Sequence, residues 1–422
     1  MHLNQFDAKT GDFKKNLFEE QNERYVEPEN PLYFIPGEPD EFLWFSERDG
    51  FQHLYHYNTE GELVKQLTKG NWLVQGIVDF TRDGKEVIFY ATKNSPLNHD
   101  VFKLQIKNGK ITQVFEKEGT HFVKVNQNGN FIDTYTSLDM GMEYAVISKK
   151  GKTLLTLLTD KDPMADYNLG EIEVSSLKAE DGTELYYRLI KPADFNPEKK
   201  YPVFVYVYGG PHAQLVSNRY QGGAGLFLNY MASQGYVVFT LDNRGSADRG
   251  FEFESVIHRN LGDIEVQDQM EGIKYLQSLN FVDTNRIGVD GWSYGGFMTI
   301  SMKLKYPETF KVACAGGPVI DWKYYEVMYG ERYMDTPQDN PEGYEKASLL
   351  DKADQLEGRL MIIHGTNDPT VVWQNSQQFV KKCVEEGKLL DYFIYPGHGH
   401  NVRGKDRVHL FRKIEQYFKT HL

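Results

Sequence analysis

A repeated pair of glycine-centred hairpins fills residues 1–160 and restricts this part of the chain to one kind of architecture. The strand-like runs 2–7, 53–58, 100–104 and 143–147 each lead to a turn at Gly11, Gly61, Gly109 or Gly151, and a second short run follows each turn. Between them lie Asp49-Gly50, Asp83-Gly84 and Asn128-Gly129, dipeptides suited to tight hairpins, each preceded by its own apolar run. Each unit therefore holds about four strands, and the period of roughly 40 to 50 residues is that of propeller blades. Three full repeats and the outer hairpin of a fourth are expected. A closed propeller has about 4 to 8 blades, so the chain reads as the C-terminal part of a longer protein or a truncated product.

Composition narrows the function classes. The chain has 422 residues, enough for two or three domains, and its 60 acidic against 47 basic residues give a net charge of −13. That charge repels phosphate backbones and anionic lipid, so nucleic-acid partners are disfavoured. Cys314 and Cys383 are the only cysteines, too few for a disulfide framework. No apolar run reaches the ~20 residues of a membrane-spanning helix, and the opening residues lack a leader pattern. The compartment stays open.

The pattern changes near residue 160. Asp160-Lys161-Asp162-Pro163 reads as a linker, residues 161–201 as that linker plus a hairpin, and 202–422 as an α/β domain. The apolar runs 203–208, 236–241, 286–289, 359–363 and 390–395 alternate with helical periodicity at 266–277 and 372–386. Runs apolar on both faces, separated by helices, indicate a mostly parallel doubly wound sheet covered on two sides.

Gly291-Trp292-Ser293-Tyr294-Gly295 falls between the run 286–289 and the helical run 297–305. A serine on such a strand-to-helix turn projects its hydroxyl only if its neighbours are small, which makes Ser293 the candidate nucleophile of an α/β-hydrolase elbow. A histidine must take its proton, and an acid must orient the histidine. Two later strand ends offer them. Residues 364–369 present Asp368, and Pro396-Gly397-His398-Gly399-His400-Asn401 presents two imidazoles that spacing does not separate. The backbone N–H of Tyr294 is the expected first oxyanion donor. The second would come from Val207-Tyr208-Gly209-Gly210-Pro211, through a backbone amide or the Tyr208 phenol.

Other polar residues have plainer expected roles. Asp290 reads as a turn or capping residue, His364 as a hydrogen-bonded loop residue, and Glu19-Glu20 as a solvated pair at a blade edge. Asp263, Glu265 and Asp268 stand at a helix start, where negative charge suits the dipole. No metal-ligand spacing, Walker loop or dinucleotide fingerprint occurs, so no cofactor and no metal are expected.

These strings, with Asn243-Arg244-Gly245-Ser246, Trp322-Lys323-Tyr324-Tyr325, Tyr329-Gly330-Glu331-Arg332-Tyr333-Met334 and His364-Gly365-Thr366-Asn367-Asp368, resemble the prolyl oligopeptidase family of serine peptidases, in its dipeptidyl peptidase IV branch. The resemblance is close over about residues 170 to 422 and looser before. It implies an α/β-hydrolase domain preceded by a partial all-β propeller, with Ser293, Asp368 and His400 as triad and the Tyr208 hydroxyl completing the oxyanion hole. It matches Tyr294, Val319, Trp322, Tyr325, Tyr329 and Val371 to the pocket for the residue before the cleaved bond. Proline, compact and without an N–H, suits aromatic walls. The implied substrate is a peptide with proline before the cleaved bond, the implied assembly a homodimer, and the implied compartment periplasmic or secreted if an N-terminal part is missing.

Two departures stand out. The family's dipeptidyl peptidases grip the substrate's amino terminus with a glutamate pair from an earlier propeller segment, and residues 1–160 show no matching pair. Thr370 stands where the family often has an asparagine. The same triad would also serve an esterase or acyl-aminoacyl hydrolase, and a catalytically silent binding protein is the alternative from another class.

Overall fold

The computed structural model describes residues 1–422, which divide into two compact units. The first is Met1–Pro163 with Ser217–Gly223 and Ala247–Glu254; the second is Met164–Val216, Ala224–Ser246 and Ser255–Leu422. No helix is long and apolar enough to cross a membrane.

In the first unit the hairpin arithmetic becomes sheets. Three four-stranded antiparallel sheets form from Tyr33–Ile35 to Leu63–Gln66, from Val74–Phe80 to Ile111–Gln113, and from Thr120–Val125 to Thr153–Asp160. A two-stranded hairpin, His2–Phe6 with Phe13–Glu19, precedes them. These are three propeller blades and the hairpin of another. Gly61 has φ +90°, and a Cβ there would lie 2.1 Å from the Leu17 carbonyl oxygen of the preceding hairpin. The repeated glycine thus serves both the turn and the approach of neighbouring blades. Between blades lies a core of Leu43, Leu54, Val74, Val87, Phe89 and Phe102, all buried. Glu20 departs from its expected solvated role, since it pairs with Arg48, whose guanidinium lies 4.3 Å from the Tyr55 ring centroid.

The second unit is built on one eight-stranded sheet. Its strands are β1 (Ile172–Lys178), β2 (Glu184–Ile190), β3 (Tyr201–Val207), β4 (Val237–Leu241), β5 (Val282–Trp292), β6 (Phe310–Gly316), β7 (Arg359–Gly365) and β8 (Asp391–Tyr395). Their order is β1-β2-β4-β3-β5-β6-β7-β8. The β1-β2 hairpin joins antiparallel, and β3 to β8 run parallel. The principal helices are α1 (Leu226–Ser233), α2 (Ile264–Ser278), α3 (Tyr294–Lys305), α4 (Val327–Met334), α5 (Gln374–Glu385) and α6 (Lys405–His421). One sheet face packs on α1 and α6 through Phe204, Val312, Met231, Leu410, Ile414 and Phe418. β6 is absent from the sequence reading: Phe310-Lys-Val-Ala-Cys-Ala-Gly carries too few large apolar residues to announce a central strand.

Because β3 to β8 are parallel, their C-terminal ends lie along one edge, where loops from several strands can converge. Ser293 follows β5, Asp368 follows β7 and His400 follows β8.

Candidate active site

Ser293 sits between β5 and α3 at φ +64° and ψ −120°, a conformation that L residues other than glycine seldom adopt. Its amide donates to the Gly316 carbonyl at 2.7 Å, which fixes the turn to the end of β6. A Cβ on Gly291 would lie 2.3 Å from the Gly295 carbonyl oxygen, and one on Gly295 would lie 2.2 Å from that of Val207. Both glycines are therefore required by close backbone approach, as the sequence motif demands.

His400 Nδ1 and Asp368 Oδ2 are 2.7 Å apart. The other carboxylate oxygen accepts the N–H groups of Thr370 and Val371, each at 2.9 Å. Burial opposes ionisation of Asp368, but hydrogen bonds from His364 and His400, the His400 charge and the Thr370 amide outweigh it, holding the carboxyl far below its ordinary range. His364 is fully buried at the end of β7 rather than in a loop; it contacts Ser376 Oγ at 2.6 Å and the Val371 carbonyl at 2.8 Å. It thereby clamps the acid loop. His398 turns elsewhere, to Asp406 at 2.8 Å, so the geometry separates the two imidazoles that spacing left open.

Trp292 Nε1 donates to the His400 carbonyl at 2.8 Å, tying the imidazole loop to the elbow. Ser293, His400, Tyr208, Tyr325 and Thr370 line one cavity of about 790 Å³. No hydrogen bond joins Ser293 Oγ to the His400 imidazole, a contact that in hydrolases of this kind commonly tightens only in the substrate complex. Asn243 supports the loop after β3: its amide donates to the Gly209 carbonyl at 2.9 Å and its carbonyl accepts from Gln269 Nε2 at 2.9 Å. Tyr208 lies with its ring centroid 6.1 Å from that of Tyr294, and burial raises its phenol pKa.

An aromatic cluster adjoins the elbow. Trp322 contacts Tyr294 at 5.4 Å, Tyr325 at 5.5 Å and Tyr329 at 5.8 Å between centroids, the last pair nearly parallel. Val319 and Val371 are buried, 1% and 0% exposed. Burial pushes the Tyr325 phenol up to about 12 and those of Tyr294 and Tyr329 well above their ordinary value, so the cluster is uncharged.

Two residues in this region have roles that differ from the sequence expectation. Glu265 is wholly buried, accepting the Tyr294 hydroxyl at 2.5 Å and the Gly262 N–H at 2.9 Å. Its neighbours in the acidic triplet do other work: Asp268 pairs with Arg244 at 2.7 Å, and Asp263 with Lys305 at 2.9 Å. Asp290 caps nothing; it lies inside β5, 6% exposed, and lines the same cavity as Ser293. A carboxylate three residues before Ser293 on a strand was the available signal for it.

The prolyl oligopeptidase family matches residues 226–422, and the dipeptidyl peptidase IV N-terminal region matches residues 1–142. Human dipeptidyl peptidase 8 is 33% identical over 435 aligned residues, covering 92% of this chain and 48% of that protein. Two crystal structures superpose closely. A Bacteroides ovatus protein described as a candidate dipeptidyl aminopeptidase IV has TM-score 0.96 and 48% identity, over 100% of this chain and 63% of that one. Porphyromonas gingivalis dipeptidyl peptidase 4 has TM-score 0.93 and 33% identity, over 100% and 60%. The chain spans about half the length of the curated relatives it matches.

Proposed function

Since the chain belongs to the prolyl oligopeptidase family through residues 226–422, we propose that it is a serine peptidase of the dipeptidyl peptidase type that cleaves after proline and releases Xaa-Pro dipeptides. The observation that carries this reading is the His400–Asp368 contact at 2.7 Å, with His400 and the strained Ser293 lining one cavity.

The proposed cycle uses these groups in turn. His400 takes the Ser293 proton as Oγ bonds to the proline carbonyl carbon, and Asp368 stabilises the imidazolium. The oxyanion is held by the Tyr294 N–H and the Tyr208 hydroxyl. His400 then gives its proton to the departing amine, the C–N bond breaks, and water attacks the acyl-enzyme by the same route. Proline ahead of the bond would rest on the Tyr294, Trp322, Tyr325 and Tyr329 rings, whose uncharged state suits an apolar ring with no N–H to satisfy. No step calls for a metal or cofactor.

Treatment with a fluorophosphonate followed by peptide mapping should place the label on Ser293, and Asp368→Asn should cut Gly-Pro anilide turnover by roughly 10⁴-fold. Gly-Pro anilide should be hydrolysed in strong preference to a short acyl ester. Label on another residue, or a preference for the ester, would replace this reading with another hydrolase chemistry.

A further inference from the structure

Asp290 and Trp292 are two apart on β5, so both side chains stand on the same sheet face, the one covered by α1 and α6. The 790 Å³ cavity follows that face: Tyr206, Asp290 and Trp292 line it from the strands, and Phe227, Phe411 and Ile414 from the helices. Phe227 and Phe411 stack across the two helices at 4.3 Å and 7°. The cavity thus has one part at Ser293 and His400 and a second, mainly apolar arm that reaches Asp290.

Asp290 is the oddity of that arm. It is 6% exposed and has neither a hydrogen bond nor an ion pair. Burial alone pushes its pKa up to about 8. A carboxyl placed without a partner in an apolar wall is costly, and a cation or strong donor entering the cavity would remove that cost. Arg407 also lines the cavity, but it is exposed and its guanidinium lies 5.4 Å from the Phe411 ring centroid. Arg188, buried on β2 on the same sheet face as Ile190, donates to the Leu215 carbonyl and to Thr240 Oγ1. Neither contributes to the Asp290 shift.

The position of the arm says what would enter it. In the proposed cycle His400 protonates the departing amine, so the leaving peptide lies on the His400 side of Ser293. Trp292 is bonded to the His400 carbonyl, which makes the Trp292 wall continuous with that side, whereas the proline cluster begins at Tyr294. At about 3.3 Å per strand residue, Asp290 lies roughly 10 Å from Ser293 along β5, the reach of two or three extended peptide residues. We propose that this arm is a subsite for the leaving peptide and that Asp290 selects a lysine or arginine side chain at the second or third residue after the cleaved bond. The inference rests on the peptidase reading above.

The test compares Gly-Pro-Ala-Lys-Ala with its norleucine counterpart, and Gly-Pro-Ala-Ala-Lys with its own, by kcat/KM. The chain should favour lysine at one of the two positions by roughly tenfold, and Asp290→Asn, nearly isosteric, should bring that ratio to about one. A ratio near one in the unsubstituted chain, or one unchanged by Asp290→Asn, overturns the proposal. A second readout does not need turnover. With carboxyl-labelled aspartate, n-pentylamine should shift one side-chain resonance toward its ionised position, n-pentanol should not, and Asp290→Asn should abolish the response. If Gly-Pro anilide is not cleaved, the peptidase reading fails and the amine titration alone decides the site: a response supports a cation subsite at Asp290, and its absence overturns it.

Discussion

Glu265 shows how a single buried carboxyl can hold one ring of an aromatic cluster in place. One oxygen holds the Tyr294 hydroxyl and the Gly262 amide, while the other has no partner. Burial raises its pKa from the ordinary 4.5 to about 7. The folded chain therefore binds this proton more tightly than the unfolded one, so the associated stability is complete below about pH 4.5 and is lost as pH rises through 7. Asp290 has the same sign over a wider window, from 3.8 to about 8. Asp368 has the opposite sign, its stabilisation being present above pH 3.8 and lost in acid. Glu265→Gln keeps an acceptor for Tyr294 and has no proton to lose. Its Tm should therefore fall less than that of the unsubstituted chain between pH 5 and 8, with a relative gain at pH 8 on the order of 1–3 kcal/mol. Parallel Tm curves across that range in calorimetry would show that Glu265 does not titrate there.

At the level of elements, the elbow is the place where local sequence and tertiary packing impose the same demand. Gly295→Ala would put a Cβ 2.2 Å from the Val207 carbonyl oxygen, a backbone atom that cannot rotate away. The expected cost is at least about 2 kcal/mol, a fall in Tm of roughly 5 °C, with loss of fluorophosphonate labelling. Gly76→Ala, in the strand Val74–Phe80 with nothing within 4 Å of the added carbon, is the control and should leave both nearly unchanged. This agreement of levels is why the elbow and the blade turns could be read directly: glycine at a required turn is visible in the string itself. The contact of Asp368 with His400 was open to expectation because each lies on a loop that follows an apolar run, and the preference for His400 over His398 came from the family resemblance, not from spacing. Glu265 was not legible: it stands among other acidic residues at a helix start, and only burial distinguishes it. Asp290 carried a signal in its place on the strand before Ser293, but only its burial separates it from a capping residue. β6 escaped for a related reason, since Ala313, Cys314, Ala315 and Gly316 are fully buried yet too small to form an apolar signal.

Across the whole molecule, one strand stands apart from the rule that apolar residues are covered. Thr153–Asp160 is exposed at all eight positions, and Leu154, Leu155, Leu157 and Leu158 each show 55–57% of their surface. It pairs on one side only, with Met140–Ile147, so its other edge presents unpaired backbone groups. Leu155 and Leu158 pair with Val146 and Tyr144 and so share one face, Leu154 and Leu157 fall at two irregularities of the pairing, and the seven residues 153–159 carry no charge to discourage pairing. The net charge of −13 opposes association only weakly at such an edge, because exposed charges are screened beyond about 8 Å at physiological ionic strength. A long, uncharged, leucine-rich edge under these conditions should add a second copy of itself. Sedimentation velocity should therefore show the chain's average mass rising with concentration in the ~10–100 µM range. Leu155→Lys with Leu158→Lys, both on the face they share with Val146 and Tyr144, should hold it at the monomer mass without altering the far-ultraviolet spectrum. Association that persists in the double variant would place the contact elsewhere. Monomers in both chains would mean that the edge is covered by some other part of the molecule in solution.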